Sequence, residues 1–239
     1  MFIDTTTCPG FTISVLNKSF IAEKPSHRDD VISMVATSFA EGEPFCKFLG
    51  ITADLLKEHL VEALVDKCIA DELSLVCMDN ETGRIVAAML NEDFFDTMNP
   101  DEEASEDLVR DLPEALPIFA LLELLDTQLV EKRFGSAAGV KQNEVLHAFM
   151  GATSKQYSGR GLASHLRKLT ADYAREQGFA YVVVEPTNPA TQHIWTNKLG
   201  GSVEYTIAAK DFMMLDGSKP FANDTHSMER QCTIVMLTL

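Results

Sequence analysis

Residues 145–150, VLHAFM, form an apolar, strand-like run; a polar segment follows, and Ser158-Gly159-Arg160-Gly161-Leu162-Ala163 then opens an amphipathic helix. A strand that ends in a glycine turn and passes straight into a helix exposes several backbone N–H groups in one place. The positive end of the helix dipole is aimed at the same point. Such a junction can hold a phosphate or pyrophosphate. Glycine suits it because a side chain would keep the ligand's oxygens off the amides. An ordinary strand-to-helix turn has the same spacing, so the glycines alone leave both readings open. Two nucleotide motifs are excluded. No Gly-Lys-Ser/Thr follows, as a Walker loop requires, and the third glycine of a dinucleotide fingerprint would fall on Ser164.

The remaining pattern surrounds this junction with strands and helices. Residues 11–16 read as an edge strand. Ser26 is placed to cap a helix that runs to about Ala40, with Val31, Met34, Val35 and Phe39 as its apolar stripe. A second helix is expected from about Thr52 to Ala70. Residues 73–78 and 84–91 form a hairpin around the turn at 79–83. Residues 92–112 are acidic and read as irregular, and Pro113 begins a leucine-rich helix to about Phe134. In the helix after the glycine turn, Leu162, Leu166, Leu169, Tyr173 and Ala174 face inward, and Gly178 ends it. Residues 181–184, YVVV, suit a strand buried on both faces. A short helix over 189–198 and strands at 203–208 and 232–237 complete the chain. The expected fold is α/β (α+β), a mixed sheet flanked by helices. It is read as a single domain over 1–239 with an acidic, helical insertion at about 92–135.

Composition narrows the function. A hydrophobic fraction of 46% in 239 residues builds a real core. No apolar run is long enough to span a bilayer, and the N-terminus shows no secretory pattern. The formal charge of −16 disfavours nucleic acid and anionic membrane as partners. Five scattered cysteines without a C-x-x-C pair suggest a reduced, cytoplasmic setting. Six histidines without an H-x-x-x-H pair give no support to a metal site.

The glycine junction resembles the acetyl-CoA signature R/Q-x-x-G-x-G/A of the GCN5-related N-acetyltransferase (GNAT) superfamily. Ser158 departs from the Arg or Gln of its first position. A second element is similar to N-x-x-A/S-x-x-L-Y-x-K-x-G-F. It begins at Asn188 and passes through Ile194-Trp195-Thr196-Asn197-Lys198-Leu199-Gly200, with Trp195 where the family often has tyrosine. A third, Ser38-Phe39-Ala40-Glu41-Gly42-Glu43-Pro44-Phe45 with Leu49-Gly50, resembles the F-F-x-x-E-P-L element of the arylalkylamine (dopamine-type) N-acetyltransferases. The ending at Asp211-Phe212, Asp216-Gly217, Pro220-Phe221 and His226 is similar to the same subfamily.

The resemblance implies a mostly antiparallel central sheet splayed between its fourth and fifth strands. It implies acetyl-CoA as co-substrate, no metal, and a monomer or homodimer acting on a small primary amine. Acetylation of a protein amine and a non-catalytic acyl-CoA sensor are the alternatives. The expected coenzyme-binding residues are Gly151, Ala152 and Thr153 along the strand edge, then Ser158, Gly159, Arg160, Gly161, Leu162, Ala163 and Asn188. An acceptor ammonium must lose a proton before its nitrogen can attack. Glu43 is the expected general base, with Glu41 as competitor, and His226 is a candidate for substrate binding or proton transfer. Tyrosine can protonate a departing thiolate and an indole cannot, so Trp195 leaves the acid unassigned between Tyr157 and Tyr205. His147 reads as a structural strand residue.

Overall fold

The computed structural model describes residues 2–3, 8–100, 102–223 and 230–239. Among the described residues eight strands form one sheet. They are β1 (Phe2–Ile3), β2 (Phe11–Val15), β3 (Leu75–Asp79), β4 (Ile85–Asp93), β5 (Val145–Thr153), β6 (Tyr181–Val184), β7 (Ser202–Ala208) and β8 (Gln231–Thr238). Their order is β1-β2-β3-β4-β5-β6-β8-β7, and only the β5/β6 pair is parallel. Alternation places successive side chains on opposite faces. Leu75 and Cys77 of β3 thus join one core cluster, and Val76 between them joins another.

On the first face lies α9 (Leu162–Glu176). Its Leu162, Leu166, Leu169, Tyr173 and Ala174 are all buried over the sheet, as the helical spacing predicts. Each of these leucines contributes roughly 1.5–3 kcal/mol by leaving water. The second face carries α2 (Ser26–Gly42), α4 (Ala53–Leu56) and α5 (Glu62–Asp71), the last two joined through a π-helical turn, Lys57–Val61. Thr52 caps α4 by accepting the Leu55 N–H at 3.3 Å. α1 (Lys18–Glu23) leads into α2 and α3 (Pro44–Leu49) follows it. A third cluster joins α8 (Leu116–Arg133) to β8 through Leu121, Leu125, Ile234 and Met236. After β6, α10 (Pro189–His193) runs into a second π-helical turn, Ile194–Lys198.

Three local expectations are corrected. β2 is not an edge strand, because Phe2–Ile3 pairs along its outer side; a two-residue strand leaves no periodic signal. Ser26 does not cap α2. It lies inside the helix, Pro25 holds the cap position without a side-chain bond, and the His27 N–H reaches the Lys24 carbonyl at 2.9 Å. Residues 92–112 are not irregular but carry α6 (Phe94–Met98) and α7 (Glu102–Asp111). Asp93 caps α6 by accepting the Phe95 N–H at 3.0 Å. Leu108 within α7 and Leu112 just past its end, an i, i+4 pair, pack into the α2 cluster. The dense acidic residues around that pair masked its spacing.

Candidate active site

The parallel strands β5 and β6 pair only at Val145↔Tyr181, Leu146↔Val182 and His147↔Val183. Beyond that point they separate, as the splayed sheet requires. Gly151, Ala152 and Thr153 remain bonded to β4 opposite Met89, Ala88 and Ala87, so their other edge faces the gap that β6 has left. A cavity of about 280 Å³ occupies the divergence. Gly151, Ala152, Thr153 and Asn188 line it, together with Glu43, Arg167, Glu185 and Trp195. Asn188 also caps α10, its Oδ1 accepting the Ala190 N–H at 2.8 Å.

Glu43 occupies the junction between α2 and α3. Its extended backbone (φ −78°, ψ 126°) followed by Pro44 ends one helix and starts the next. Oε2 accepts the Cys46 N–H at 2.6 Å, which fixes the carboxylate. Oε1 is buried without a partner. Glu41, the competing acid, is exposed and does not line the cavity. Cys46 does line it, but burial and the neighbouring Glu43 push its thiol far above the usual range, so it is a poor nucleophile.

Two buried donors lie in the same wall. Arg167 of α9 is 6% exposed, and no carboxylate among the described residues pairs with it. One guanidinium N–H bonds the Ala163 carbonyl at 3.0 Å, while Nε has no partner. Burial lowers its pKa to about 10, so it stays charged at neutral pH. A Cβ on Gly151 would lie 2.8 Å from Arg167 Nη2 and 2.9 Å from Met89 Sδ, so glycine there leaves room for the guanidinium, which would otherwise have to shift. The irregularity of β4 falls at Leu90–Glu92 instead. Trp195 is fully enclosed, and its indole N–H also lacks an acceptor.

The glycine turn precedes this wall. Gly159 (φ 77°) and Gly161 (φ 79°) are both left-handed, and Gly161 supplies no side-chain cap to α9. The first-turn amides therefore remain open to an anion. Ser158 and Arg160 are exposed; the Arg160 guanidinium lies 4.8 Å from the centre of the Tyr157 ring. Leu162 is core, so only its backbone is available, and Ala163 is half-buried beside it. Tyr157 donates its hydroxyl to Asp79 at 2.6 Å, and neither it nor Tyr205 lines the cavity. His226 lies outside the described residues. Sequence reading missed Arg167 and Glu185. Neither sits in a motif, and only the buried positions of their charged groups, Glu185 against His147 at 2.8 Å and Arg167 without a carboxylate, mark them.

The profile of the acetyltransferase (GNAT) family matches residues 84–200, a span that holds β4, β5, the glycine turn, α9, β6 and α10. The chain carries a GNAT-family acetyltransferase domain. Solved structures share the architecture across nearly its whole length. The C-terminal condensation domain of Ebony in complex with beta-alanyl-dopamine superposes with a TM-score of 0.78 at 20% identity, covering 96% of this chain and 99% of that one. Arylalkylamine N-acetyltransferase 2 from Aedes aegypti gives 0.72 at 20%, over 95% and 98%. Polyamine N-acetyltransferase from Drosophila melanogaster gives 0.69 at 18%, over 96% and 100%. At these identities the likeness establishes the fold. No curated protein matches by sequence. Within the matched span the glycine turn joins β5 to α9. Among the described residues no helix is long and apolar enough to cross a membrane, and no three metal-ligating side chains cluster.

The glycine turn makes a specific expectation. A Cβ on Gly161 meets no atom within 4 Å, so the space above it is open to a ligand. Gly161→Val should destabilise the fold by roughly 1–3 kcal/mol through its left-handed backbone. It should also raise the CoA dissociation constant by about tenfold or more, equal to about 1.4 kcal/mol. Titration calorimetry on folded protein separates the two effects. Unchanged CoA affinity would remove the turn from the binding site.

Proposed function

We propose that the protein transfers the acetyl group of acetyl-CoA to a small primary amine with an apolar body, by direct attack of the amine nitrogen. One observation carries this reading. One buried carboxylate oxygen (Glu43 Oε1) and two buried N–H donors (Arg167 Nε and Trp195 Nε1) lack partners, and all three residues line one cavity at the sheet's divergence. Unpaired buried polar atoms are costly, so a ligand of complementary polarity is expected to satisfy them.

The residues divide the work by polarity. The amide edge of 151–153 pairs with an extended amide-bearing arm in the manner of an added strand. The open amides after Gly159 and Gly161 receive the coenzyme's diphosphate. Glu43 accepts the proton that the acceptor ammonium must lose before its nitrogen attacks, and the second N–H proton, freed as the amide forms, leaves to water. Arg167 and Trp195 donate hydrogen bonds to negative charge as the C–S bond breaks. Trp195 cannot surrender a proton, so the thiolate takes one from water. Cys46 keeps its own proton, which argues against a covalent acyl-enzyme.

The acceptor end of the cavity is apolar. Phe39, Ile51, Leu60, Ile118, Phe119 and Leu122 line it, the last three from the helical segment within 92–135. These walls favour an arylalkylamine over a polyamine and a small molecule over a polypeptide. We read the whole chain as one domain in which that segment walls the acceptor site. Its five free thiols, four of them buried, suit a cytoplasmic setting. The test is release of CoA thiol, followed with dithionitrobenzoate, across arylalkylamines, polyamines and peptides. Release should depend on an arylalkylamine. No acceptor-dependent release across the panel, with CoA still bound in calorimetry, would leave a coenzyme sensor instead.

A further inference from the structure

One end of the cavity holds a cation without a counter-ion. Met150 and Ala152 of β5 pack into the α2 cluster, so Gly151 between them turns its missing side chain toward the α9 face. A Cβ there would lie 2.8 Å from Arg167 Nη2. On this face the cavity is lined by Met89, Ala148, Val184 and Trp195, all of the α9 cluster. The acceptor walls Phe39, Ile51, Leu60, Ile118 and Phe119 belong to the cluster on the other face. The cavity therefore crosses the sheet where the strands diverge, and Arg167 stands at the end away from the acceptor.

The guanidinium is 6% exposed and uses only one of its edges. Nη1 donates to the Ala163 carbonyl at 3.0 Å. Nε and Nη2, the other edge of the fork, have no partner among the described residues, and of the two only Nε is fully enclosed. Other arginines of this chain hold carboxylates by that same edge. Arg28 reaches Asp66 through Nε at 2.7 Å and Nη2 at 2.8 Å, and Arg110 holds Asp111 at 2.7 and 2.8 Å. Glu43 and Glu185 also line the cavity, but Glu185 is engaged by His147 at 2.8 Å and neither pairs with Arg167.

The group that meets this edge comes from the acyl donor. The coenzyme's arm follows 151–153, and its amides are neutral. Its diphosphate sits at the head of α9, whereas Arg167 lies about 7.5 Å further along the axis than Leu162. What the arm carries past Gly151 is the acyl group. A carboxylate on that group fits Nε and Nη2 with two parallel hydrogen bonds. The guanidinium is already out of water in the folded protein, so the pair forms against the desolvation of one ion rather than two. An acetyl group leaves the edge unpaired until negative charge develops on the sulfur.

We propose that Arg167 is a carboxylate-binding residue at the donor end, and that the protein takes, besides acetyl-CoA, acyl-CoA donors whose short acyl chain ends in a carboxylate. This rests on the acetyl-transfer reading for the direction of the coenzyme, not for the existence of the anion site. The transfer itself is the same. The C–S bond breaks, the amine nitrogen bonds to the acyl carbon, and the carboxylate passes intact into the amide product.

The test compares malonyl-CoA with isovaleryl-CoA, and succinyl-CoA with 4-methylpentanoyl-CoA, by calorimetry without acceptor. Each pair matches in shape and differs by one carboxylate. The formal charge of −16 opposes a further negative charge on the ligand, so overall attraction cannot imitate the result. Wild type should bind the carboxylate member of at least one pair about tenfold tighter or more, as a charge-assisted pair implies. Arg167→Met should bring that ratio to about one, and Arg167→Gln is a second neutral variant that reads the same loss. Equal affinities within both pairs overturn the proposal, and so does a ratio undiminished in the variants. Acetyl transfer to tryptamine without any such preference overturns it and leaves the acetyltransferase reading standing. An Arg167-dependent preference in a protein that acylates no amine keeps this site and sinks that reading. An Arg167-dependent preference for tryptophan over tryptamine, with none among the donors, places the carboxylate on the acceptor and overturns the assignment to the donor.

Discussion

Glu43→Gln should lower kcat by about 10²–10⁴, the usual worth of a positioned general base, while CoA binds as before. The substitution keeps the shape of the side chain. Its amide oxygen can still accept the Cys46 N–H, so α3 should lose at most about 1 kcal/mol of cap stabilisation. What disappears is the unpaired oxygen, Oε1, replaced by an N–H group that cannot take a proton. Steady-state kinetics with the best acceptor, beside calorimetry with CoA, measure the two effects separately. Turnover within a factor of three of wild type would remove Glu43 from the proton-accepting role. A parallel fall in CoA affinity would show that its part is to hold the α2–α3 junction in shape.

Trp195→Ala should cost roughly 3–5 kcal/mol of unfolding free energy, because the indole is fully enclosed and packs into the α9 core. Chemical denaturation reads that loss directly. Trp195→Phe gives the more discriminating result. It keeps most of the packing and removes an N–H that has no acceptor, so stability should change little. Its kcat should nevertheless fall, since one of the two donors facing the developing charge is gone. An unchanged kcat in the Phe variant would confine Trp195 to the wall of the cavity.

The parts of this site that the chain encodes locally were legible in its sequence. The glycine turn, the α9 stripe, the buried strand at 181–184 and the Glu43-Pro44 junction each depend on neighbours a few residues away, and each lies where the pattern put it. Asn188 capping α10 belongs with them. The buried ionic group was not, because its members are scattered along the chain: Glu92 in β4, Asp126 in α8, His147 in β5 and Glu185 just after β6. His147 read as a structural strand residue, and only folding sets it between Glu92 and Glu185. Asp126 sat on what looked like a plain leucine helix. Arg167 follows Leu166, so a residue beside a core position reads as solvated until Gly151 is found beneath its guanidinium. The acidic segment failed for a different reason. Charged residues outnumber apolar ones in it, and charge carries little periodic information.

The separation of β5 from β6 has a thermodynamic consequence. Three residue pairs are all that join the strands β1–β5 to the group β6, β8, β7 across the middle of the sheet. A molecule that hydrogen-bonds to the free edge at 151–153 would act as a missing length of backbone, stitching two half-sheets into one. Coenzyme would then be a structural member as well as a reactant. At a hundred times its dissociation constant it would add about 2.7 kcal/mol to the resistance of the fold to unfolding. The protein's endurance in a cell would follow the supply of its own co-substrate.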